Sequence, residues 1–118
     1  MQPWDVDMQQ RTQTYANAVL DVVDRLPTTR SATIIANQLG RSATSVMANH
    51  AESTRARSTA DKIAKQGICL QELQESHAWL SLLRLRRYLD AEIADRLLGE
   101  TDALIGLFVS SIKRLGER

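Results

Sequence analysis

Four residues have side chains from which a metal site or an acid–base pair could be built: His50, Glu52, Glu72 and Glu75. Di-iron sites in helical bundles use Glu-x-x-His pairs, because ligands three residues apart project from one helix face. Here His50 and Glu52 are two residues apart, as are Glu75 and His77, so each pair points to different helix faces. We therefore expect no metal ion and no other cofactor, with a weaker site of the four residues as an alternative.

The single cysteine excludes two further kinds of site. Cys69 lies among apolar residues, and a lone cysteine excludes an internal disulfide bond and a cysteine-based zinc cluster. It is typical of a small apolar core residue. The N-terminus lacks a signal-peptide pattern, and no run of residues is long and apolar enough to span a membrane. A single cysteine without a signal peptide predicts a cytoplasmic protein. Since no nucleophile is paired with a base, we also predict that the protein is not an enzyme.

A continuous polar stripe follows the predicted second helix. Its residues recur at steps of four and three, directly beside the apolar core positions of that helix. The predicted third helix carries Glu72 and Glu75 within an otherwise apolar stripe, and we expect Arg41 and Arg55 as counterions because buried charges need partners. The predicted structural polar network consists of Gln38, Arg41, Ser42, Ser45, Asn49, Glu52, Glu72 and Glu75.

Apolar residues recur at helical spacing over four segments. Pro27 ends the first segment, and Thr28, Thr29 or Ser31 can cap the second. Ser58 and Asp90 are in position to cap the third and the fourth. The predicted helices extend over roughly residues 8–26, 30–55, 59–87 and 91–115.

These helices predict one compact domain. A chain of 118 residues with 43% hydrophobic and 25% charged residues has the composition of a globular domain with a single core. Connections this short place neighbouring helices antiparallel. We predict an all-α, antiparallel up-down-up-down four-helix bundle over residues 8–118, preceded by a flexible segment over residues 1–7.

The predicted third and fourth helices carry more apolar residues than one bundle core requires. The apolar arc of the fourth helix covers about 200°, whereas about 100° is typical of a surface helix. Monomers seldom expose apolar patches beyond a few hundred Å², so self-association is the expected remedy; a core widened by curvature of the bundle is the alternative. The predicted oligomer interface consists of Ile68, Trp79, Leu82, Leu98, Ile105, Val109 and Ile112.

Positive charge is concentrated in the middle of a nearly neutral chain. The net charge is +1, but residues 30–65 contain six Lys or Arg residues against Glu52 and Asp61. Assembly would gather such cations into a positive rim that attracts phosphate groups. The candidate nucleic-acid-binding residues are Arg30, Arg55, Arg57, Lys62 and Lys65.

Two sequence strings carry a resemblance to a known family. They are the run from Gln38 to Glu52, which reads QLGRSATSVMANHAE, and Glu72-Leu73-Gln74-Glu75. The chain resembles, over about residues 8–115, the bacterial four-helix-bundle proteins that include those encoded by 23S ribosomal RNA intervening sequences. The resemblance implies an antiparallel bundle and a homopentameric ring around a central channel. It implies no activity.

A related group, the accessory proteins of diversity-generating retroelements, is similar in architecture and implies binding of nucleic acid and a reverse transcriptase through a basic pentamer. This chain departs from that pattern because it is nearly neutral. We therefore predict a non-enzymatic, cytosolic oligomeric scaffold whose main partner is a second copy of itself, favouring a pentamer. A nucleic-acid-binding accessory factor is the alternative, and no membrane partner is expected.

Overall fold

Four α-helices make up the fold. In the computed structural model, which describes residues 1–117, α1 spans Pro3–Arg25, α2 Arg30–Ser53, α3 Thr59–Leu85 and α4 Ala91–Gly116. The bundle measures 47 × 20 × 19 Å, and none of the described residues lies in a β-strand. The prediction of an all-α four-helix bundle is confirmed, whereas the predicted domain end at residue 118 lies outside the described residues.

Side-chain oxygens cap the first turns of the last three helices, at positions that the sequence predicts. Each oxygen accepts a hydrogen bond from a backbone N–H group that has no partner within its own helix. These bonds measure 3.3, 3.0 and 2.9 Å and join Thr29 to Ala32, Ser58 to Asp61 and Asp90 to Glu92.

The start of α1 differs from the prediction. The helix begins at Pro3 and not near residue 8, so most of the segment predicted to be flexible, residues 1–7, is helical. Proline is favoured at the first helical position, where its missing N–H group costs nothing. The carboxylate of Asp5 then accepts a hydrogen bond of 3.2 Å from the backbone N–H of Gln2, which fixes the chain at the helix entry. The first two turns of α1 thus belong to the folded bundle.

The turn between α3 and α4 is built by a residue in the left-handed conformation. Arg87 has φ of 58°, and its N–H donates to the carbonyl of Arg84 at 3.1 Å. The N–H of Tyr88 donates to the carbonyl of Leu83 at 3.0 Å. These two bonds form a Schellman motif, which ends α3 at Leu85, two residues before the predicted end.

Helices that follow one another in the chain pack side by side, while the backbones of α1 and α4 lie farther apart. Long side chains bridge that wider seam. The hydroxyl groups of Tyr15 and Thr101 lie 2.7 Å apart, and Arg11 makes two hydrogen bonds of 2.9 and 2.8 Å with Glu100. Polar side-chain contacts therefore hold α1 against α4, in addition to apolar packing.

The core runs the length of the bundle between the four helices. Burying an aliphatic or aromatic side chain there contributes about 1.5–3 kcal/mol. None of the helices formed by residues 3–116 is long and apolar enough to cross a membrane. The fully buried large apolar side chains are Val19, Leu39, Val46, Leu73, Leu80, Leu83, Leu104 and Phe108.

Candidate functional site

An ion-pair cluster centred on Arg41 joins α2 to α3. The guanidinium group donates to Glu72 at 3.1 Å and also to Glu75. The indole N–H of Trp79 donates to the same Glu75 oxygen at 3.3 Å. The hydrogen bond from Arg41 is the main cause that lowers the pKa of Glu75 below its ordinary value. This carboxylate is held as a charged acceptor and has little tendency to take up a proton.

The other members of the polar stripe make local contacts rather than one continuous network. Ser42 is buried, and its hydroxyl lies 2.7 Å from that of Ser76 on α3. The amide of Asn49 donates to the carbonyl and the hydroxyl of Ser45 one turn earlier, at 2.9 Å each. Glu52 and Gln38 lie at the two ends of the stripe.

Glu52 is exposed and forms an ion pair of 3.5 Å with Lys65. Gln38 is half-buried. Arg55, an expected counterion, is exposed beyond the end of α2 and pairs with no carboxylate of residues 1–117. Of the two expected counterions, only Arg41 therefore pairs with the half-buried Glu72 and Glu75.

The predicted interface residues of α3 lie along its seam with α2. Ile68 is 37% exposed, and Trp79 and Leu82 are half-buried beside the core. Together with the polar stripe and the exposed Ile34 they form one surface, which we call the α2–α3 face. Its members are Ile34, Gln38, Arg41, Ser45, Asn49 and Glu52 on α2, and Ile68, Glu72, Glu75, Trp79 and Leu82 on α3.

The predicted interface residues of α4 divide into two groups. Leu98 and Ile105 pack against the core. They lie on the side of α4 that faces α3, where Asp102 and Asp95 form ion pairs with α3 residues. Packing against α3 therefore covers part of the wide apolar arc of α4. Ile112 is half-buried, and Val109 is the most exposed at 48%. Val109 adjoins the outward surface of α4, which we call the α4 outer face and which also contains Gly99, Ala103, Gly106 and Ser110.

At one end of the bundle, a buried carboxylate holds three helices together. Asp5 is 3% exposed, and both of its carboxylate oxygens accept hydrogen bonds from the Lys62 ammonium group, at 3.0 and 3.2 Å. Its backbone carbonyl lies 3.0 Å from Nε2 of His50. Since a carbonyl oxygen only accepts, Nε2 is the protonated nitrogen of this imidazole. Asp5 therefore links α1 to both α2 and α3.

The imidazole of His50 is sealed between two aromatic rings. The ring centroids of Trp4 and Phe108 lie 5.7 and 6.0 Å from it, in edge-to-face arrangements. Burial lowers the pKa of His50 below its ordinary value, against the opposing effect of the Asp5 carbonyl and carboxylate. Nδ1 of His50 and both amide atoms of Gln66 are buried without a hydrogen-bond partner among residues 1–117. This end of the core is thus a polar layer that contains a neutral histidine.

Two adjoining clefts open at the same end. Their volumes are about 220 and about 250 Å³, and they share Gln2, Lys62 and Leu115 as lining residues. Trp4, Asp5, Ser111 and Arg114 complete the first cleft. The second is completed by Ser53, Thr54, Ala56, Arg57, Ser58 and Thr59, which connect α2 to α3.

Sequence reasoning missed this end of the molecule because it placed Trp4 and Asp5 in a flexible segment. One local signal was present. Pro3 followed two residues later by an acidic side chain is typical of a helix start, since both fit the first turn of a helix. The pairing of Asp5 with Lys62 joins residues 57 positions apart, so it could not be read from local spacing.

Cys69 and His77 lie outside the polar clusters described above. Burial raises the pKa of Cys69 to about 12, and its thiol lies 3.5 Å from the carbonyl of Val46. His77 is half-exposed at the α3–α4 seam, where its Nε2 lies 3.3 Å from a carboxylate oxygen of Asp102. Residues 1–117 contain no group of three or more His, Cys, Asp or Glu side chains placed to hold a metal ion.

The five candidate nucleic-acid-binding residues differ in their surroundings. Lys62 and Lys65 are engaged by Asp5 and Glu52. Within the described part of the chain, the others form no ion pair and are exposed. These free cations are Arg30 at the start of α2, and Arg55 and Arg57 in the connection between α2 and α3.

Comparison with known proteins decides the family. The family described as 23S rRNA-intervening sequence protein matches residues 4–110. The chain belongs to this family. The resemblance predicted from the sequence strings is thereby confirmed. No curated protein matches the chain.

A solved structure supports the same assignment. It is the crystal structure of a protein with unknown function from the S23 ribosomal protein family, from Bacteroides thetaiotaomicron VPI-5482. Its sequence is 28% identical to that of the present chain, and the two structures superpose with a TM-score of 0.86. The match covers 92% of the present chain and 97% of the Bacteroides chain. The fold is thus shared along nearly the whole length of both proteins.

Proposed function

We propose that this member of the 23S rRNA-intervening sequence protein family is a non-enzymatic, cytoplasmic scaffold that works as a homo-oligomer. The carrying observation is that apolar side chains on two different surfaces stay exposed on the single chain. Val109 is 48% exposed beside the α4 outer face, and Ile68 is 37% exposed on the α2–α3 face. Assembly is the usual way in which contiguous apolar surface is removed from water.

The shapes of the two surfaces favour contact between unlike faces. Large side chains, among them Trp79 and Leu82, occupy the α2–α3 face. Small residues occupy the α4 outer face. Apart from its chain neighbours and the backbone of its own helix, a methyl group added at Gly99 or Gly106 would meet no atom of residues 1–117 within 4 Å. A contact between two different faces of successive copies generates a closed ring when its rotation closes. A pentameric ring is favoured by the family resemblance.

Side-chain contacts support an antiparallel, up-down-up-down order of helices as part of this proposal. Late residues of α2 meet early residues of α3, as in the ion pair of Glu52 with Lys65. Early residues of α1 meet late residues of α4, as in the contact of Trp4 with Phe108, whose ring centroids lie 5.8 Å apart. Such a bundle presents each face along its full length to a neighbouring copy.

The chemistry of the polar residues supports a structural role. Glu72 and Glu75 are occupied by Arg41, and His50 is held by Asp5 inside the core. An ion pair between two helices can fix their register, and removing one partner leaves a charge without compensation. The polar stripe would thus hold the α2–α3 face in one shape for its partner copy. The single free Cys69 fits the reducing cytoplasm.

Light scattering tests the assembly. The chain has a mass of 13.2 kDa, so a pentamer would have five times that mass, about 66 kDa. We expect the oligomer, and we expect Val109→Asp to lower the mass while the helical circular dichroism signal is kept. Val6→Asp is the matched control, because Val6 is an apolar residue on α1 that is 53% exposed and belongs to neither face. A wild-type mass near 13 kDa would contradict the proposal.

Nucleic-acid binding is a second candidate function, favoured by the free guanidinium groups of Arg30, Arg55 and Arg57. A ring would repeat these groups around its circumference. The candidate requires binding of RNA or DNA at low salt that weakens steeply as salt rises, because neutralised phosphates release counterions. An absence of binding at roughly 50 mM salt, where such contacts are strong, would exclude it.

A further inference from the structure

We propose that the two clefts beside Lys62 form one binding site for the phosphate group of a phosphomonoester. The site lies at the end of the bundle where α1 and α3 begin and α4 ends. It is separate from the α2–α3 face and the α4 outer face. The inference therefore does not depend on assembly, and it names a ligand chemistry that neither candidate function specifies.

The charges that line the clefts are unbalanced. Lys62, Arg57 and Arg114 supply three cations, and Asp5 supplies the one carboxylate among the lining residues. Arg57 and Arg114 are exposed and form no ion pair with any carboxylate of residues 1–117. Guanidinium groups bind phosphate oxygens through paired hydrogen bonds. An anion entering the clefts would therefore meet two uncommitted arginines.

Lys62 is fixed in position before any ligand arrives. Its ammonium group has three N–H donors, and the Asp5 carboxylate engages it at 3.0 and 3.2 Å. Asp5 is itself held by the Gln2 N–H and is 3% exposed, so it forms a buried floor for the first cleft. One ammonium N–H is left over for a ligand. A preorganised cation loses less side-chain entropy on binding than a free one.

Neutral donors and the start of α3 add to these cations. The backbone N–H groups in the first turn of a helix point out of its N-terminus, where the helix dipole favours negative charge. Ser58 and Thr59, which begin α3, line the second cleft, and Ser111 lines the first. Ser58 satisfies only the N–H of Asp61 with its side chain. Hydroxyl and backbone donors thus lie beside the arginines.

The size of the site favours a phosphomonoester over a passing nucleic-acid strand. The two clefts at the end of the bundle have volumes of about 220 and 250 Å³, which accommodate a terminal phosphate with part of the attached sugar or base of a nucleotide. A monoester carries a charge of about −1.5 to −2 near neutral pH. This charge matches the excess of two positive charges that Lys62, Arg57 and Arg114 leave over Asp5 better than the single charge of a backbone diester does. The half-buried indole of Trp4 forms one wall, where an attached base could stack.

Calorimetry on the full chain with four probes tests the site. The probes are inorganic phosphate, adenosine monophosphate, and one oligoribonucleotide with either a 5′-phosphate or a 5′-hydroxyl group. We expect saturable binding of at least one phosphomonoester source and weaker binding of the 5′-hydroxyl oligoribonucleotide. Preference for the nucleotide would identify a free metabolite as the source, and preference for the 5′-phosphorylated strand would identify a nucleic-acid end. Either result supports the site.

Single substitutions locate the binding. Arg57→Gln and Arg114→Gln should each weaken binding by about tenfold, the loss expected for a hydrogen bond to a charged group. Arg30→Gln is the matched control, since Arg30 is an exposed arginine without an ion pair at the start of α2, away from both clefts. The proposal is overturned by an absence of saturable binding of every phosphate-bearing probe, by measurable and equal binding of the two oligoribonucleotides, or by an equal loss in Arg30→Gln.

Failure of the site is distinguishable from failure of the nucleic-acid candidate. Binding of phosphate or the nucleotide without binding of either strand would keep the site and remove the nucleic-acid function. Binding of both strands alike, with an equal loss in Arg30→Gln, would keep the nucleic-acid function and remove the site.

Discussion

At the scale of single residues, Asp5 is the side chain on which the cleft end of the bundle depends. A buried carboxylate is tolerated only when its charge is compensated, and here Lys62 and a backbone N–H supply the compensation. The backbone carbonyl of the same residue holds His50. A neutral histidine is suited to this position, because one ring nitrogen can donate to the carbonyl while the uncharged ring stays among aromatic side chains.

The buried His50 should make the stability of the protein depend on pH. Burial lowers its pKa in the folded protein, while the unfolded chain has the ordinary value of about 6.5. The unfolded state then binds the proton more readily, so the contribution of His50 is complete above about pH 6.5 and is lost as the pH falls from there through the folded pKa. We expect the urea midpoint to fall over this range.

A substitution separates His50 from the other titrating groups. In His50→Gln the fall in the urea midpoint below about pH 6.5 should be smaller than in the wild type, although the variant is less stable at neutral pH by about 1–3 kcal/mol because a buried hydrogen bond and ring packing are lost. An unchanged slope in His50→Gln would contradict the assignment.

Residue types could be predicted from the sequence better than their partners. The stripe containing Arg41 and the stripe containing Glu72 and Glu75 both follow from helical periodicity, and the structure brings them together. His50 was weighed only as a metal ligand, because its actual partner Asp5 lies 45 residues away at a helix start that periodicity missed. Contacts between distant segments depend on the packing of whole helices, which local spacing does not contain.

At the scale of the elements, the helix ends show which local signals are strong. Thr29, Ser58 and Asp90 begin their helices where expected, because a capping side chain acts within its own turn. The end of α3 is less predictable. No glycine stands at the turn, and Arg87 takes the left-handed conformation that glycine normally supplies. Because the usual glycine signal for a helix end is missing, the sequence places the end of α3 at residue 87, two residues too late.

Replacing Arg87 with glycine should stabilise the protein. A non-glycine residue in the left-handed region destabilises the folded state by on the order of 1–2 kcal/mol, and glycine removes this strain. Glycine also makes the unfolded chain more flexible, which offsets part of the stabilisation. We expect Arg87→Gly to raise the free energy of unfolding by about 0.5–1 kcal/mol in urea denaturation. Leu85→Gly is the control, since Leu85 is exposed but helical and should lose roughly 0.5–1 kcal/mol. Loss of stability in both variants would show that Arg87 is not strained.

At the scale of the whole molecule, the two glycines of the α4 outer face have no explanation within the chain. Glycine inside a helix costs about 1 kcal/mol relative to alanine, so a structural reason is expected for each. Apart from chain neighbours and the backbone of α4 itself, no atom of residues 1–117 lies within 4 Å of the β-carbon position of Gly99 or Gly106. They differ in this from Gly40, whose β-carbon position lies 3.9 Å from Leu20. Close approach of a second copy would explain both.

Substitution of Gly106 distinguishes the two explanations of this face. Within a single chain, Gly106→Gln should raise the free energy of unfolding by about 0.5–1 kcal/mol, because glutamine has the higher helix propensity and meets open space. In an assembly that uses the α4 outer face, the same side chain would hold the neighbouring copy away and lower the mass measured by light scattering. Gly67→Gln places an identical change on α3, also in open space, and should leave the mass unaltered. A full-size oligomer in Gly106→Gln would exclude the α4 outer face as the contact and would leave the α2–α3 face as the surface through which copies meet.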